Sequence, residues 1–276
     1  MQVTILGSWA REGIPAAFCL CNVCKDAKNL DSKNNRTRPE ILIKTEEWQF
    51  LLEISPDIRT QSTKFNLSNI NDFLISHWHF DHMYGLLELD VRSKFVSINA
   101  PKLYCSQNTS QWLNQNFGHI SKEIKVIKAF QAFTLFGVQI TPIPVYHMKE
   151  QDKETKDKLL DNTFGFILEH NNIRIVYLAD YYKISPQSFQ LIKHSDVIIC
   201  DWTYLFEEMF PNNYLHNELK LDQDHLHWED IINFAKSLEA KKIIFHSISH
   251  QTEKSHFELQ NMLPKGMYIS YDWMNL

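Results

Sequence analysis

The chain has 276 residues, a formal net charge of −5 and 44% hydrophobic residues, enough apolar material for a large core. It lacks an apolar run of about 18 residues that would predict a transmembrane helix. Its first residues also lack the basic and apolar regions of a secretory signal, so a cytoplasmic location is expected. The absence of a basic stripe argues against a long nucleic-acid partner, and the absence of a GxxxxGK pattern argues against a P-loop.

Short apolar runs rich in β-branched and aromatic residues recur along the chain and predict β-strands. Later segments predict helices. One of them opens with Ser185 as a plausible N-cap and Pro186 in the first turn. The remaining helical segments read "HWEDIINFAKSLEAKK" and "QTEKSHFELQNML". Strands first, followed by strands that alternate with helices, indicate an α/β chain with two sheets sandwiched between helices.

Three of the five cysteines lie close together near the start of the chain, in the stretch "FCLCNVC", as Cys19, Cys21 and Cys24. In a cytoplasmic protein, such a tight cluster indicates metal binding before it indicates a disulfide. Thiolates at this spacing can hold three corners of a zinc tetrahedron, so a fourth ligand must come from elsewhere. Cys105 and Cys200 lie alone in apolar runs and are expected to be small buried side chains.

Four metal-binding side chains fall within the stretch "SHWHFDHMYG" at residues 76–85, as His77, His79, Asp81 and His82. In extended backbone, residues two apart point the same way, so His77 and His79 can hold one ion together. Asp81 and His82 then face an adjacent position. Imidazole and carboxylate together suit zinc, manganese or iron. Four ligands exceed what one ion takes while it keeps an open position, so the motif indicates two ions.

Two aromatic residues, Trp78 and Phe80, separate these ligands. Large apolar side chains are usually buried. Both are therefore expected to face the core and to fix the loop, and neither is given a chemical role.

The HxHxDH motif at the end of a hydrophobic strand resembles the metallo-β-lactamase superfamily, a four-layer αββα fold of two-metal hydrolases. The likeness extends from about residue 3 to residue 272, and we predict a single domain over residues 1–276. The resemblance implies three further ligands at later strand ends, and the chain offers His147, Asp180 and His246. It implies that His77, His79 and His147 hold the first ion. It also implies that Asp81, His82 and His246 hold the second ion, and that Asp180 bridges the two.

The cysteine cluster and the later stretch "FHSISHQ" resemble one branch of this superfamily, the cyclic phosphodiesterases of the carbon–phosphorus lyase pathway. In that branch a distant histidine completes a structural zinc, which implies that His250 joins the cysteine cluster (residues 19–24). The branch pattern places Ser247 in the strict register of the last active-site ligand. A serine is a poor substitute for an imidazole, so His246 with a local bulge is the prediction and Ser247 the alternative.

The resemblance also implies the chemistry. A hydroxide held between two ions, whether Mn, Zn or Fe, attacks the phosphorus of a small phosphate ester, cyclic or linear, and a general acid protonates the leaving oxygen. His225 matches the register of that acid, and His227 is the alternative. The predicted catalytic residues are therefore His225, Asp81 and Asp180. The expected cofactors are two active-site ions and one structural Zn, and the expected assembly is a homodimer.

Other functions stay open at this point. A loop that contains residues 53–61, "EISPDIRTQ", resembles that of the pyrroloquinoline quinone biosynthesis B proteins, which implies an oxidoreductase. HxHxDH is shared with tRNA 3′-end endonucleases, although the acidic pI of about 6.2 disfavours them. A zinc-stabilised binding protein without turnover is the last alternative.

Three further features distinguish this chain within the resemblance. Glu53 stands where the family usually has aspartate, at a strand end from which that acid supports the ligands. Residues 148–162 are densely charged and residues 206–224 are polar, so both are read as insertions, either solvated loops or lids over a site.

Overall fold

The computed structural model describes residues 1–95, 99–147, 163–203, 228–249 and 254–276. Its strands are β1 Gln2–Gly7, β2 Glu40–Lys44, β3 Gln49–Leu52, β4 Asp72–Leu74, β5 Lys102–Cys105, β6 Glu123–Val126, β7 Phe133–Leu135, β8 Val138–Tyr146, β9 Thr163–His170, β10 Ile173–Leu178, β11 Lys183–Ile184, β12 Val197–Asp201, β13 Lys242–His246, β14 Met267–Ile269 and β15 Met274–Asn275. Its helices are α1 Asn22–Asp26, α2 Ile58–Lys64, α3 Phe80–Met83, α4 Leu86–Phe95, α5 Gln107–Asn116, α6 Pro186–Ile192, α7 Trp228–Ser237 and α8 His256–Met262.

Within these residues the strands form two mixed sheets. The first has the order β15-β1-β2-β3-β4-β5-β6, in which β3 to β6 run parallel and the other pairs run antiparallel. The second has the order β11-β8-β9-β10-β12-β13-β14, with β7 paired to β8. Strands β10, β12, β13 and β14 are parallel, so their carboxyl ends meet at one edge of the sheet.

Three apolar clusters separate the layers. The central cluster joins residues of both sheets, such as Phe50 of the first sheet and Phe166 of the second. A second cluster packs the outer face of the first sheet against α2, α4 and α5, and a third packs the second sheet against α6, α7, α8 and the cysteine cluster. The predicted four-layer αββα architecture, with two mixed sheets between helices, is therefore confirmed.

Local sequence explains where the later helices begin. The Ser185 hydroxyl accepts a hydrogen bond from the backbone N–H of Ser188, and Pro186 occupies the first turn of α6, as predicted. At α8, Ser255 and Glu258 form a capping box in which each side chain accepts from the other's backbone N–H. Cys105 and Cys200 are fully buried, as expected.

Some expectations lie beyond what the structure describes. The insertion at residues 148–162 falls wholly outside the described residues, and so does the insertion at 206–224. Within the described ranges, none of the helices is both long enough and apolar enough to cross a bilayer. The single domain over residues 1–276 stays a prediction.

Candidate metal centre

The two sheets bring predicted ligands from four separate segments to one place. His77 and His79 lie in the loop that follows β4, and Asp81 and His82 lie in the short helix α3. His147 follows β8, Asp180 follows β10, and His246 is the last residue of β13. Because β8 and β10 are both antiparallel to β9, they run in the same direction and end at the same edge as β13. Loops leaving that edge therefore converge.

One compact group of ligand atoms consists of His77, His79, His147 and Asp180, all within 4.8 Å of one another. Nε2 of His147 lies 3.0 Å from Nδ1 of His79. Oδ2 of Asp180 lies 3.8 Å from Nε2 of His77 and 3.7 Å from Nε2 of His147. Three imidazoles and one carboxylate oxygen thus face a common centre.

A second compact group consists of Asp81, His82 and Asp180. Nε2 of His82 lies 3.4 Å from Oδ2 of Asp81 and 3.4 Å from Oδ1 of Asp180. Asp180 therefore presents Oδ2 to the first group and Oδ1 to the second. A carboxylate that turns one oxygen to each of two adjacent groups is suited to bridging two cations.

The protonation tendencies of these histidines suit cation binding. Burial, reinforced by the neighbouring histidines, places the pKa of His77 well below its usual value and lowers that of His79 to about 4, so both are neutral at pH 7. Burial would also lower the pKa of His82. Asp81, Asp180 and Glu53 outweigh that effect and raise it well above the usual value. The second group therefore favours a positive charge.

Two buried histidine nitrogens without hydrogen-bond partners also favour cation binding. Nε2 of His77 and Nε2 of His246 are buried and have no hydrogen-bond partner among the described residues. A buried polar atom without a partner is costly, and a divalent cation beside each nitrogen would satisfy it. The donor set of imidazole nitrogens and carboxylate oxygens therefore fits divalent ions such as zinc, manganese or iron.

His246 lies beside these groups without joining either compact set of ligand atoms. Burial, together with the charge of His82, lowers its pKa to about 3, and its Nδ1 lies 3.4 Å from Oγ of Ser270. The next residue, Ser247, is buried and has a left-handed φ of 58°, and its N–H donates to the carbonyl of Ser8. This irregular backbone follows directly after His246. The choice of His246 over Ser247 stays a prediction.

Two further side chains hold the histidines in orientation. The Ser76 hydroxyl lies 2.9 Å from Nδ1 of His77. Glu53 is fully buried, with Oε1 3.4 Å from Nδ1 of His82 and Oε2 accepting from the backbone N–H of Ser76. Glu53 has a φ of 69°, which a non-glycine residue adopts only under constraint. Partners of this kind fix the ring plane of a ligating histidine.

We expect Glu53→Gln to weaken divalent-ion binding by roughly 10- to 100-fold, because the amide cannot replace the charge that faces His82. Glu53→Asp shortens the carboxylate and should cause a smaller loss. Competition with a chromogenic chelator would measure both affinities. Equal affinity in Glu53→Gln and the unsubstituted protein would show that Glu53 does not support the metal group.

The cysteine cluster forms a separate site. The sulfur atoms of Cys19, Cys21 and Cys24 lie within 4.8 Å of one another, and none of the three forms a disulfide. Backbone N–H groups point at the sulfurs: Ala16 donates to Cys24, and Cys24 donates to Cys21, the N-cap of α1. Burial raises the pKa of Cys24 to about 12, so a bound cation would be needed to hold it as a thiolate. The geometry fits zinc.

The loop that carries the cysteines is held against the chain segment just before residue 250. Trp9 forms a parallel bridge with Ile248, and Oγ of Ser249 donates to Oε1 of Glu12 at 2.9 Å. The segment adjoining His250 therefore reaches the N-terminal loop. His250 itself lies outside the described residues, so its assignment to the zinc stays a prediction.

The family model for the β-lactamase superfamily domain matches residues 49–248, which include HxHxDH and all three later ligand positions. The chain belongs to the metallo-β-lactamase superfamily. Most members of this superfamily are metal-dependent hydrolases.

Two curated relatives show how the similarity is distributed. The chain is 36% identical over 90 residues to an octanoyltransferase of Porphyromonas gingivalis, a match that covers 32% of this chain and 18% of that protein. It is 26% identical over 227 residues to the coenzyme PQQ synthesis protein B of Methylorubrum extorquens, and that match covers 75% of each.

Two solved structures share the fold over the whole chain. A diphosphatase from the PhnP family has a TM-score of 0.79 at 24% identity, over 100% of this chain and 97% of that one. Zn²⁺-bound PqqB from Methylobacterium extorquens has a TM-score of 0.82 at 21% identity, over 100% and 99%. These likenesses support the αββα fold of this chain.

The other predicted positions have different outcomes. The candidates for the general acid, His225 and His227, lie outside the described residues. The expectation that Phe80 faces the core is wrong, because its side chain is 40% exposed, and Trp78 is only half-buried. Phe80 is the first residue of α3, and this four-residue helix turns Asp81, His82 and Met83 inward instead.

Asp201 is a carboxylate near this centre that the sequence motifs did not predict. Asp201 is buried at the end of β12, directly opposite His246 in the parallel register. Its signal in the sequence was the run "DVIICD", in which a buried strand ends on an acid, as it does for Asp180. Ser76, which contacts His77, was overlooked because serine is not a metal ligand.

Proposed function

We propose that this protein hydrolyses a phosphodiester bond in a small molecule and uses two divalent metal ions to do so. One observation carries the proposal: Asp180 presents one carboxylate oxygen to a group of three histidines and the other to Asp81 and His82. When bound, a pair of divalent ions offsets the charge that develops on phosphoryl oxygens and makes water more nucleophilic at neutral pH.

The chain's own residues would position and support that pair. His77, His79 and His147 would hold the first ion and Asp81, His82 and His246 the second, with Asp180 shared. Ser76 and Glu53 keep the rings of His77 and His82 in the required planes. With His79 the exception, these candidate ligands are buried, so bulk water is largely excluded and electrostatic effects inside the site are strong.

Hydrolysis adds a hydroxyl group to phosphorus and breaks the bond from phosphorus to the leaving oxygen. The leaving oxygen must gain a proton, which calls for a general acid within hydrogen-bond reach. We assign this role to His225, with His227 as the alternative.

The diphosphatase shares the fold over 100% of this chain and 97% of its own, and phosphorus chemistry is carried over from it as part of the proposal. The second candidate function is that of the coenzyme PQQ synthesis protein B, for which the notable observation is 26% identity over three quarters of both chains. The two candidate functions differ in whether the protein hydrolyses phosphate esters. A cytoplasmic location, a homodimeric assembly and zinc, manganese or iron as the metal are further parts of the proposal.

We expect the protein reconstituted with Zn²⁺ or Mn²⁺ to cleave bis-(p-nitrophenyl) phosphate and a 2′,3′-cyclic nucleotide, and to leave a β-lactam intact. A chelator should abolish the activity, and added metal should restore it. Release of p-nitrophenolate and phosphorus NMR would follow the two diesters. If every phosphodiester remains intact while two active-site ions per chain are bound, the proposed phosphodiesterase activity is wrong and the PQQ synthesis function is favoured.

A further inference from the structure

An aromatic surface adjoins the most accessible part of the candidate metal centre. Seven candidate ligands of this centre lie in the described part of the chain. Among these seven, only His79 is half-buried and the others are buried. Within the described part of the chain, the centre is therefore most accessible on the side of His79. The Trp78 ring packs edge-on against the His79 ring, with centroids 4.8 Å apart and planes at 84°.

The surface extends from Trp78 to α5. The rings of Trp78 and Trp112 are stacked, with centroids 5.3 Å apart and planes at 16°, and both residues are half-buried. The rings of Tyr84 and Phe117 also pack against Trp112, at centroid distances of 6.5 and 5.6 Å. Phe117 is buried and Tyr84 is 37% exposed. Trp112 is thus a supported ring with part of its surface open.

Such a surface has a chemical preference. Indole rings stack on planar aromatic groups, and each base stacked on an aromatic side chain adds substantially to affinity without requiring hydrogen-bond readout. If the metal centre holds a phosphoryl group, an aromatic group attached to that phosphate through a sugar or a short chain can extend toward these indoles.

We propose that Trp78 and Trp112 form a stacking surface for a planar aromatic group of the substrate, such as the base of a nucleoside phosphate. The inference rests on the proposed function, because it deepens the substrate class of the same site. Trp112 would be a specificity-determining residue, since it lies on α5 and outside the ligand motif. Trp78 separates two ligands, so replacing it would disturb metal binding as well.

The test compares two probes that share a phosphate and a ribose and differ in the base. Isothermal titration calorimetry would measure binding of adenosine 5′-monophosphate and of ribose 5-phosphate to the Zn²⁺-loaded protein. We expect the nucleotide to bind about 10-fold more tightly, as expected for one stacked base. Trp112→Leu, which keeps apolar bulk without a ring, should bring the two affinities within about twofold. Trp112→Phe should retain most of the difference.

Trp48→Leu is the matched control. Trp48 is also exposed and also stacked on another ring, that of Phe136, but it lies in the turn between β2 and β3. This variant should keep the full preference for the nucleotide. Circular dichroism would verify that each variant is folded. If Trp112→Leu does not fold, equal binding of the two probes to the unsubstituted protein still overturns the inference.

Three results would overturn the inference. They are equal binding of both probes to the unsubstituted protein, an equal loss for both probes in Trp112→Leu, and tighter binding of phosphocholine than of the nucleotide, which would indicate a cation–π site. Binding is measured without turnover, so the two proposals can fail separately. A preference for the nucleotide without any phosphodiester cleavage would contradict the proposed function alone. Phosphodiester cleavage without a preference for the nucleotide would contradict this inference alone.

Discussion

Replacing Asp180 with asparagine is expected to lower kcat/KM for a phosphodiester by at least about 10³-fold, because one carboxylate serves both halves of the metal centre. Asparagine keeps the size of the side chain but removes its charge and one of its two oxygen ligands. Oδ1 and Oδ2 of Asp180 face different groups of ligands, so neither group should remain complete. Metal analysis by mass spectrometry should show fewer than two active-site ions per chain.

Asp31→Asn provides a matched control, because it makes the same chemical change at an exposed position outside both groups of ligands. It should retain the activity and metal content of the unsubstituted protein. An Asp180→Asn variant that keeps both active-site ions and full activity would contradict the bridging role. Loss of activity with both active-site ions still bound would instead mean that Asp180 acts in the reaction and is not needed to bind the ions.

Cys24→Ala is expected to remove one zinc per chain and to lower Tm by about 10 °C, since loss of a structural metal removes folding free energy and each kcal/mol corresponds to a few degrees in a chain of this size. Cys24 is fully buried in the apolar cluster that packs the second sheet against its helices. Release of its zinc would loosen the loop that pairs with the segment after β13. Calorimetry and metal analysis would measure the two effects.

Cys105→Ala is the control for loss of a buried thiol. Cys105 is equally buried, but it lies in β5 and belongs to no cluster of metal ligands in the described residues. It should lower Tm by only the small amount expected from a sulfur-sized cavity and leave the zinc content unchanged. Equal shifts in the two variants would mean that the cysteine cluster does not stabilise the fold through a metal.

Motifs local in sequence were predictable. One short stretch of sequence contains His77, His79, Asp81 and His82, and another contains Cys19, Cys21 and Cys24. Residue type and spacing were therefore enough to indicate metal sites. The start of α6 was equally local, because Ser185 and Pro186 are capping residues. Such features depend on backbone geometry over a few residues, which the sequence encodes directly.

Features that depend on distant segments were not predictable in the same way. The contact of Oε1 of Glu53 with Nδ1 of His82 requires the end of β3 to lie beside the short helix α3. The stacking of Trp78 on Trp112 requires α5 to pack beside the metal loop. Neither contact leaves a pattern in the sequence, because each joins segments that are neighbours only after the sheet has formed.

By itself, the sequence determined the kinds of metal ligand, their order along the chain, the position of each at the end of an apolar run, and the two-sheet class of fold. Tertiary structure decided that Asp180 faces both groups of candidate ligands, that Glu53 and Ser76 orient the histidines, and that two tryptophans stack beside His79. The reason is that strand pairing and strand direction place the ends of β4, β8, β10 and β13 together, and these are non-local properties of the whole chain.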